Sequence, residues 1–468
     1  MFRNVSVFDK GGKMKFPALI SVLFICLFFA ACSSDENEAE HDIPVSSDDD
    51  VISHDEDFPE NDEDTLMTDE EEVNQDEDED SAQTDEEPAE TDDDSESVTD
   101  LSAAETANCY ILKAAGKYSF DATVRGNGRK VKDVDFVEEK LEPVSVELVW
   151  QSDKNGILDS LELKSGRIYF NSNGKRGNAL IAALDEAGKM IWSWHIWFPG
   201  EEIQELKTSG GTFVMDRNLG ATSLDFESPE SHGFLYQWGR KEPFPASPVV
   251  SGGTTSTVPV PVYDSEGNEV AIQASSRENS ENNTLEYAVS HPTTVLSNSS
   301  QYSDCRDWLR KEFSNPALWG GTEGEKSLFD PCPAGYRVPE LGTFDFFTSS
   351  GGYETDIAGF SVYDIDSDGI TDENDYKNGW YIMLDPSTGS YSYFPAAARY
   401  DGSYAMLMGS KAGLWGNYWY AASADDAEDS FVPCGAYALA FQFGEEISAS
   451  PKAVGGRADA YSVRCVRE

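Results

Sequence analysis

Val144-Ser145-Val146-Glu147-Leu148-Val149-Trp150 alternates apolar and polar side chains, the period of a half-buried β-strand. Working outward, the same pattern recurs in Ser160–Leu163 and Arg167–Phe170. Ala179-Leu180-Ile181-Ala182-Ala183-Leu184 and Met190–Trp197 are apolar strand candidates that bracket a turn at Asp185–Gly188. Gly126-Asn127-Gly128, Asp153-Lys154-Asn155-Gly156 and Asn173-Gly174 are the punctuation expected between short strands. Residues 105–200 therefore read as a β-sandwich-like domain.

The stretch 201–468 is aromatic, Gly-rich and read as short-stranded. Two helices are expected in it. Asp304–Phe313 carries Trp308, Leu309 and Phe313 at helical spacing, with Ser303 as cap. Glu340–Thr348 follows Pro339. Residues 246–300 are rich in Ser, Thr, Asn and Pro and read as an irregular, loop-bearing insertion. The fold class expected for the chain is mainly β with α+β.

The N-terminus reads as a targeting segment. Arg3, Lys10, Lys13 and Lys15 precede Phe16–Ala31, an uncharged apolar run of 16 residues. That is short for a spanning helix and right for a signal core. Met14-Lys15 offers a second, more compact start. Phe29-Ala30-Ala31-Cys32 resembles the lipobox of bacterial lipoproteins, which implies cleavage after residue 31 and acylation (palmitate) on Cys32. An uncleaved membrane anchor is the alternative. Ser33-Ser34-Asp35-Glu36 resembles the surface-export signal of Bacteroidetes-type lipoproteins. The expected location is the cell outer membrane, lipid-anchored through Cys32 and surface-exposed.

Residues 32–104 follow as a disordered acidic linker. From Asp35 to Asp100 there are 33 Asp or Glu in 66 residues and no Lys or Arg, with Phe58 the only aromatic. Such a composition cannot bury enough apolar surface to offset chain entropy, and like charges extend it. A spacer is the plain reading; a weak, unselective cation buffer is the sharper one. The stalk supplies −33 of the formal −53, and residues 101–468 remain at −23. That balance argues against nucleic acid as a partner, because phosphates are repelled.

Six motifs occur in order. They are Phe213-Val214-Met215-Asp216-Arg217-Asn218-Leu219-Gly220-Ala221, Tyr236-Gln237-Trp238-Gly239-Arg240, Asp330-Pro331-Cys332-Pro333-Ala334-Gly335-Tyr336-Arg337-Val338-Pro339, Tyr393-Phe394-Pro395-Ala396-Ala397, Tyr418-Trp419-Tyr420-Ala421-Ala422-Ser423 and Tyr461-Ser462-Val463-Arg464-Cys465-Val466-Arg467. Together they resemble the Fibrobacter succinogenes major paralogous domain, over about 205–468. Ala107–Ile111 and Gly116–Phe120 resemble the β-domain that often precedes it. The resemblance implies a C-type lectin-like α+β domain over 201–468, in surface lipoproteins whose role is binding or adhesion.

Of the seven cysteines, Cys26 leaves with the signal. The resemblance implies a Cys332–Cys465 disulfide, because both lie in family motifs and the lectin-like fold ties its first-helix region to its last strand. Cys305–Cys434 is a second option. Five exported cysteines besides Cys32 leave at least one unpaired, with Cys109 the candidate.

The sharpest local motif is Asp364-Ile365-Asp366-Ser367-Asp368-Gly369-Ile370-Thr371-Asp372-Glu373-Asn374-Asp375. It has the D-x-D-x-D-G start of an EF-hand loop, with acids at the ninth and twelfth positions. Asp364, Asp366 and Asp368 converge on one ion, Gly369 permits the turn, and Ile370 presents its carbonyl. Asp372 and Asp375 close the sphere. Asp at the twelfth position resembles thrombospondin-type and dockerin-type calcium loops. Structural calcium is the expected cofactor; an acidic surface turn is the plain alternative.

The sugar-binding tripeptides of true C-type lectins are missing, which speaks against calcium-bridged sugar binding. Trp415, Tyr418, Trp419 and Tyr420 form an aromatic cluster read mainly as core, with sugar stacking as the alternative. No Gly-x-Ser-x-Gly, His-Glu-x-x-His, phosphate loop or dinucleotide fingerprint occurs. His195, between Trp194 and Ile196, reads as a strand residue. The expected function is non-enzymatic: surface binding or adhesion to an extracellular glycan or protein ligand. A structural or assembly component of the cell envelope is the alternative, and an enzyme on extracellular polymers the third reading.

Overall fold

The computed structural model describes residues 97–468, apart from 132–133, 135–139, 249–257, 276–280, 298–305, 321–324, 377, 402–405, 409–414, 421–434 and 443–446. The signal segment, Cys32 and the acidic stalk lie outside the described residues, as do Cys305 and Cys434. The described residues are mainly β, with 37% strand against 8% helix.

Eight strands fill the first hundred described residues: β1 (Thr99–Asp100), β2 (Cys109–Ile111), β3 (Gly116–Asp121), β4 (Ser145–Gln151), β5 (Leu158–Lys164), β6 (Arg167–Ser172), β7 (Gly177–Leu184) and β8 (Met190–Phe198). They form two four-stranded sheets, in the orders β1-β3-β6-β5 and β2-β8-β7-β4. Phe120 of β3 packs on Tyr110 of β2 at 4.7 Å and on Trp194 of β8 at 5.2 Å, so the sheets meet face to face. β7 and β8 form a hairpin whose Asp185 carboxylate accepts the Ala187 and Lys189 N–H groups. That side-chain capture is why the Asp185–Gly188 turn is legible in sequence.

All eight residues of β7 are buried; the apolar run Ala179–Leu184 predicts this for six of them, and Asn178 is buried with its amide bonded to Gly220 O. The other side of its sheet is covered by the later stretch. Trp197 Nε1 donates to Ala221 O, Lys241 Nζ to Ser193 Oγ, and Asn108 Nδ2 to Leu328 O and Asp330 O. Gly126 shows how close the approach is: a Cβ there would sit 2.1 Å from Leu328 O, and its φ is +51°. The described residues fall within one compact unit.

Among the described residues, the later stretch holds three further sheets of more than two strands. A five-stranded one runs Phe244–Pro245, Phe234–Gln237, Ala460–Ser462, Arg399–Asp401, Met406–Met408. A three-stranded one joins Trp415–Tyr420, Gly435–Gln442 and Ser448–Gly456. A four-stranded one runs Tyr336–Arg337, Val466–Arg467, Phe213–Met215, Glu205–Lys207. The hairpin Gly379–Asp385/Ser390–Pro395 sends Trp380, Ile382, Leu384 and Phe394 into a core with Phe347 and Phe441.

Both expected helices are absent as helices. Residues 304–305 lie outside the described residues; beyond them only Lys311–Phe313 forms a 3-10 turn. Asp307 explains the loss. Its carboxylate takes the Leu309 N–H and the Ser314 hydroxyl, side-chain bonds that compete with helix bonds. Trp308 is buried by donating Nε1 to Trp238 O, not by a helical face. In 340–348 only Asp345–Phe347 is a 3-10 turn, and Gly342 sits at φ +88°, outside helical space. The described α-helices are instead Leu285–Ser290 and Glu373–Tyr376. The first lies in the stretch read as irregular, and Thr284 caps it by accepting from Tyr287 N.

Buried ionisable groups make stability pH-dependent. Burial pushes the imidazoles of His195 and His232 down, to about 3 and about 4 from 6.5. Below about pH 6.5 the unfolded chain binds protons that these folded sites refuse, so their contribution is lost as pH falls. Asp330 has the opposite sign: burial pushes it up to about 6, so the folded chain protonates first. The two imidazoles together withdraw up to about 2.7 kcal/mol per pH unit between about pH 6 and pH 5, and the carboxyls of Asp330 and Asp307, both pushed up by burial, offset part of it. Urea unfolding at about pH 6 and pH 5 checks this. The variant H195Q/H232Q should lose less stability than wild type over that interval, and equal losses in the two would refute the buried, neutral assignment.

Candidate metal centre

The loop 364–375 is held at both ends by the hairpin core. Before it, Tyr363 N donates to Tyr381 O at 2.8 Å, and Val362 bridges to Ile382. After it, Tyr376 packs on Trp380 at 5.0 Å. A rigid base therefore presents a polar loop to solvent.

Inside the loop the carboxylates organise the backbone. Asp364 accepts from Asp368 N at 3.2 Å and Gly369 N at 2.8 Å. Asp366 also accepts from Asp368 N, and Asp368 accepts from Ile370 N at 2.7 Å. Ser367 and Gly369 take positive φ, 60° and 78°. Nothing lies within 4 Å of a Cβ at Gly369, so backbone conformation and not space calls for glycine there.

Asp364, Asp366 and Asp368 each place an oxygen so that the three lie within 4.8 Å of one another. Like charges at this spacing repel by roughly 1 kcal/mol per pair even in water, and a divalent cation reverses the sign. The other expected ligands stand differently. Ile370 is 62% exposed. Asp372 accepts from Asn374 N. Asp375, fully buried, closes the loop by accepting from Ile365 N at 2.8 Å and Asp372 N at 3.1 Å. The structure thus brings three of the expected ligands together and uses the twelfth-position acid as a clasp.

Asn374 was not singled out by sequence reading. Its Nδ2 donates to Asp366 Oδ2 at 2.9 Å and steadies that carboxylate. A second unforeseen feature flanks the loop: Tyr363 stacks on Tyr391 at 3.8 Å, and Tyr381 stands 6.3 Å from Tyr391. Hairpin register brings these rings together, so no local signal announces them. The side chains of Trp415, Tyr418, Trp419 and Tyr420 lie outside the described residues, although their backbone forms a strand.

The cysteines and histidines are now placed. Cys332 and Cys465 are disulfide-bonded, as the resemblance implied, and Cys109 is free and buried. His195 lies in β8, with Nε2 at 2.9 Å from Asn178 Oδ1 and Nδ1 at 3.2 Å from the Tyr236 hydroxyl. The described motif residues Asn218, Tyr393 and Arg464 serve the interior. Arg464 donates to Ser392 Oγ, Asn218 Oδ1 and Tyr393 O, joining three motif segments or their neighbours.

Compared with known proteins, the chain matches no protein-family description, no curated protein and no solved structure. The family resemblance stands on the quoted motifs.

Proposed function

We propose that this chain is a lipid-anchored surface protein of a bacterial outer membrane that recognises an extracellular glycan or protein ligand, with structural calcium in the 364–375 loop. Cys32 carries the lipid, and the acidic stalk spaces the folded part from the membrane. The observation that carries the calcium half is the convergence of Asp364, Asp366 and Asp368 on a loop anchored to a rigid hairpin. Hard carboxylate oxygens suit calcium. Ile370 adds its carbonyl in this reading. Asp372 and Asp375 add oxygens that keep a lone pair beyond their present N–H bonds. The binding half is supported by the lipobox and by the family resemblance.

Calcium at about a hundred times its dissociation constant should add about 2.7 kcal/mol to the unfolding free energy, and chelator should remove it. The variant D366N/D368N should lose that increment and keep the chelated stability. Equal calcium responses in variant and wild type would sink the metal assignment. For ligand recognition, the full chain is screened on a glycan array with calcium and with chelator. Saturable, calcium-supported binding is expected; silence in both conditions removes the glycan reading.

A further inference from the structure

A cavity of about 170 Å³ lies where the β4–β7 edge meets the later stretch. Asp153 and Arg176 line it from one side, and Thr222, Glu230 and Phe234 from the other. Val260 and Val262 complete its apolar wall. A cavity of ~150 Å³ holds a single six-membered ring, so this one suits one ring and not a chain. The wall is preformed. Phe234 is fixed by stacking on Trp150 at 5.2 Å and 9°, and Val262 is 1% exposed. Asn178 behind it is committed to His195 and Gly220 O and serves as scaffold.

The rim is polar and carries both signs. Arg176 pairs with Glu230 at 2.9 Å, and both side chains are about half exposed, so the pair is free to reorganise around a ligand. Asp153 stands beside them, paired with Lys175. Arg176 and Lys175 match the two carboxylates, so the rim carries no net charge to hold an anion. Carboxylates that accept and a guanidinium that donates, above an apolar wall, fit a ring with hydroxyls around its edge and C–H groups on its face.

The geometry points to this cavity as the seat of one neutral, polyhydroxylated six-membered ring, a single sugar residue at the end of a glycan. The assignment rests on the glycan half of the proposed function and gives it a place.

Saturation-transfer NMR on the full chain, with a panel of free neutral hexoses and N-acetylhexosamines and one uronic acid, is the test. At least one neutral sugar should bind, more tightly than the uronic acid. V260W fills the cavity from a half-exposed position and should weaken binding at least tenfold. R176A, at an exposed side chain, should weaken it several-fold. Unchanged binding in V260W would overturn the placement and leave glycan recognition standing elsewhere. No neutral monosaccharide bound at millimolar concentration, beside a positive oligosaccharide array, would overturn it too. A silent array removes the wider reading by itself.

Discussion

Replacing Cys332 and Cys465 together by alanine is expected to lower the unfolding free energy by about 5 kcal/mol. The bond closes a loop of 133 residues, and loop-closure entropy for a span of that length gives about that figure. Both cysteines are fully buried, and alanine introduces no polar group there. The loss should also be local. Val466–Arg467 is a two-residue strand between Phe213–Met215 and Tyr336–Arg337, and Met215 N donates to Cys465 O at 3.0 Å. Without the covalent tie, so short a strand is held by its ladder, by Val466 in the core, by Arg464 and by the exposed Arg467–Glu205 pair. Urea unfolding of wild type and variant measures the global term. Amide exchange at Val466 should rise first and most. A variant within about 1 kcal/mol of wild type would mean that the unfolded chain keeps the two segments together without the bond.

Strands of the first two sheets were legible because each signal is local. Side-chain alternation marks β4 to β6, the apolar runs mark β7 and β8, and Asp185 and Gly188 mark their turn. The convergence of Asp364, Asp366 and Asp368 was legible for the same reason: the three sit within five consecutive residues. The helices failed where side-chain chemistry overrode periodicity. Trp308, Leu309 and Phe313 have helical spacing, but Asp307 diverts the backbone and Phe313 is 45% exposed. Nothing local separates that case from a true helix. The Thr284 cap was readable in principle, yet it sits in a segment whose composition reads as loop.

The cavity and the ring stack of Tyr363 and Tyr391 were not legible at all. Arg176 and Glu230 are 54 positions apart in the chain, and only the packing of the 3-10 turn Pro229–Ser231 beside the start of β7 pairs them. The motifs are a different case. Their residues are aromatic and charged, and the sequence does not say which of them face inward. In the structure Arg464, Asp330, Gln237 and Arg240 are buried and bonded to backbone or side-chain partners. Such side chains specify how segments join, and a sequence gives no burial by which to tell the two roles apart.

Glu242→Gln is expected to cost about 3–5 kcal/mol, because it strands two buried cations. Glu242 Oε2 accepts from Arg240 Nε at 3.0 Å and Oε1 from Lys241 Nζ at 2.8 Å, with all three side chains at most 2% exposed. Burial opposes ionisation of Glu242, yet Lys241 and Arg240 outweigh it and hold the carboxyl below its ordinary value. Burial pushes Lys241 down, and Glu242 is what restrains that shift. Take the carboxylate away and the Lys241 amine is left to burial and to Arg240, both of which favour the neutral form. The deficit of the variant should therefore shrink as pH rises and Lys241 gives up its proton. Adding Lys241→Met removes one stranded charge and should recover part of the loss, a coupling that a double-mutant cycle measures. The cluster also joins distant parts. Lys241 Nζ bonds Ser193 Oγ of β8, and Arg240 Nη1 bonds Thr294 O. Weakening it should loosen the seam that shapes the cavity, so E242Q should reduce sugar affinity without touching a lining residue. If the variant unfolds within about 1 kcal/mol of wild type at neutral pH, water reaches these groups and the seam is open.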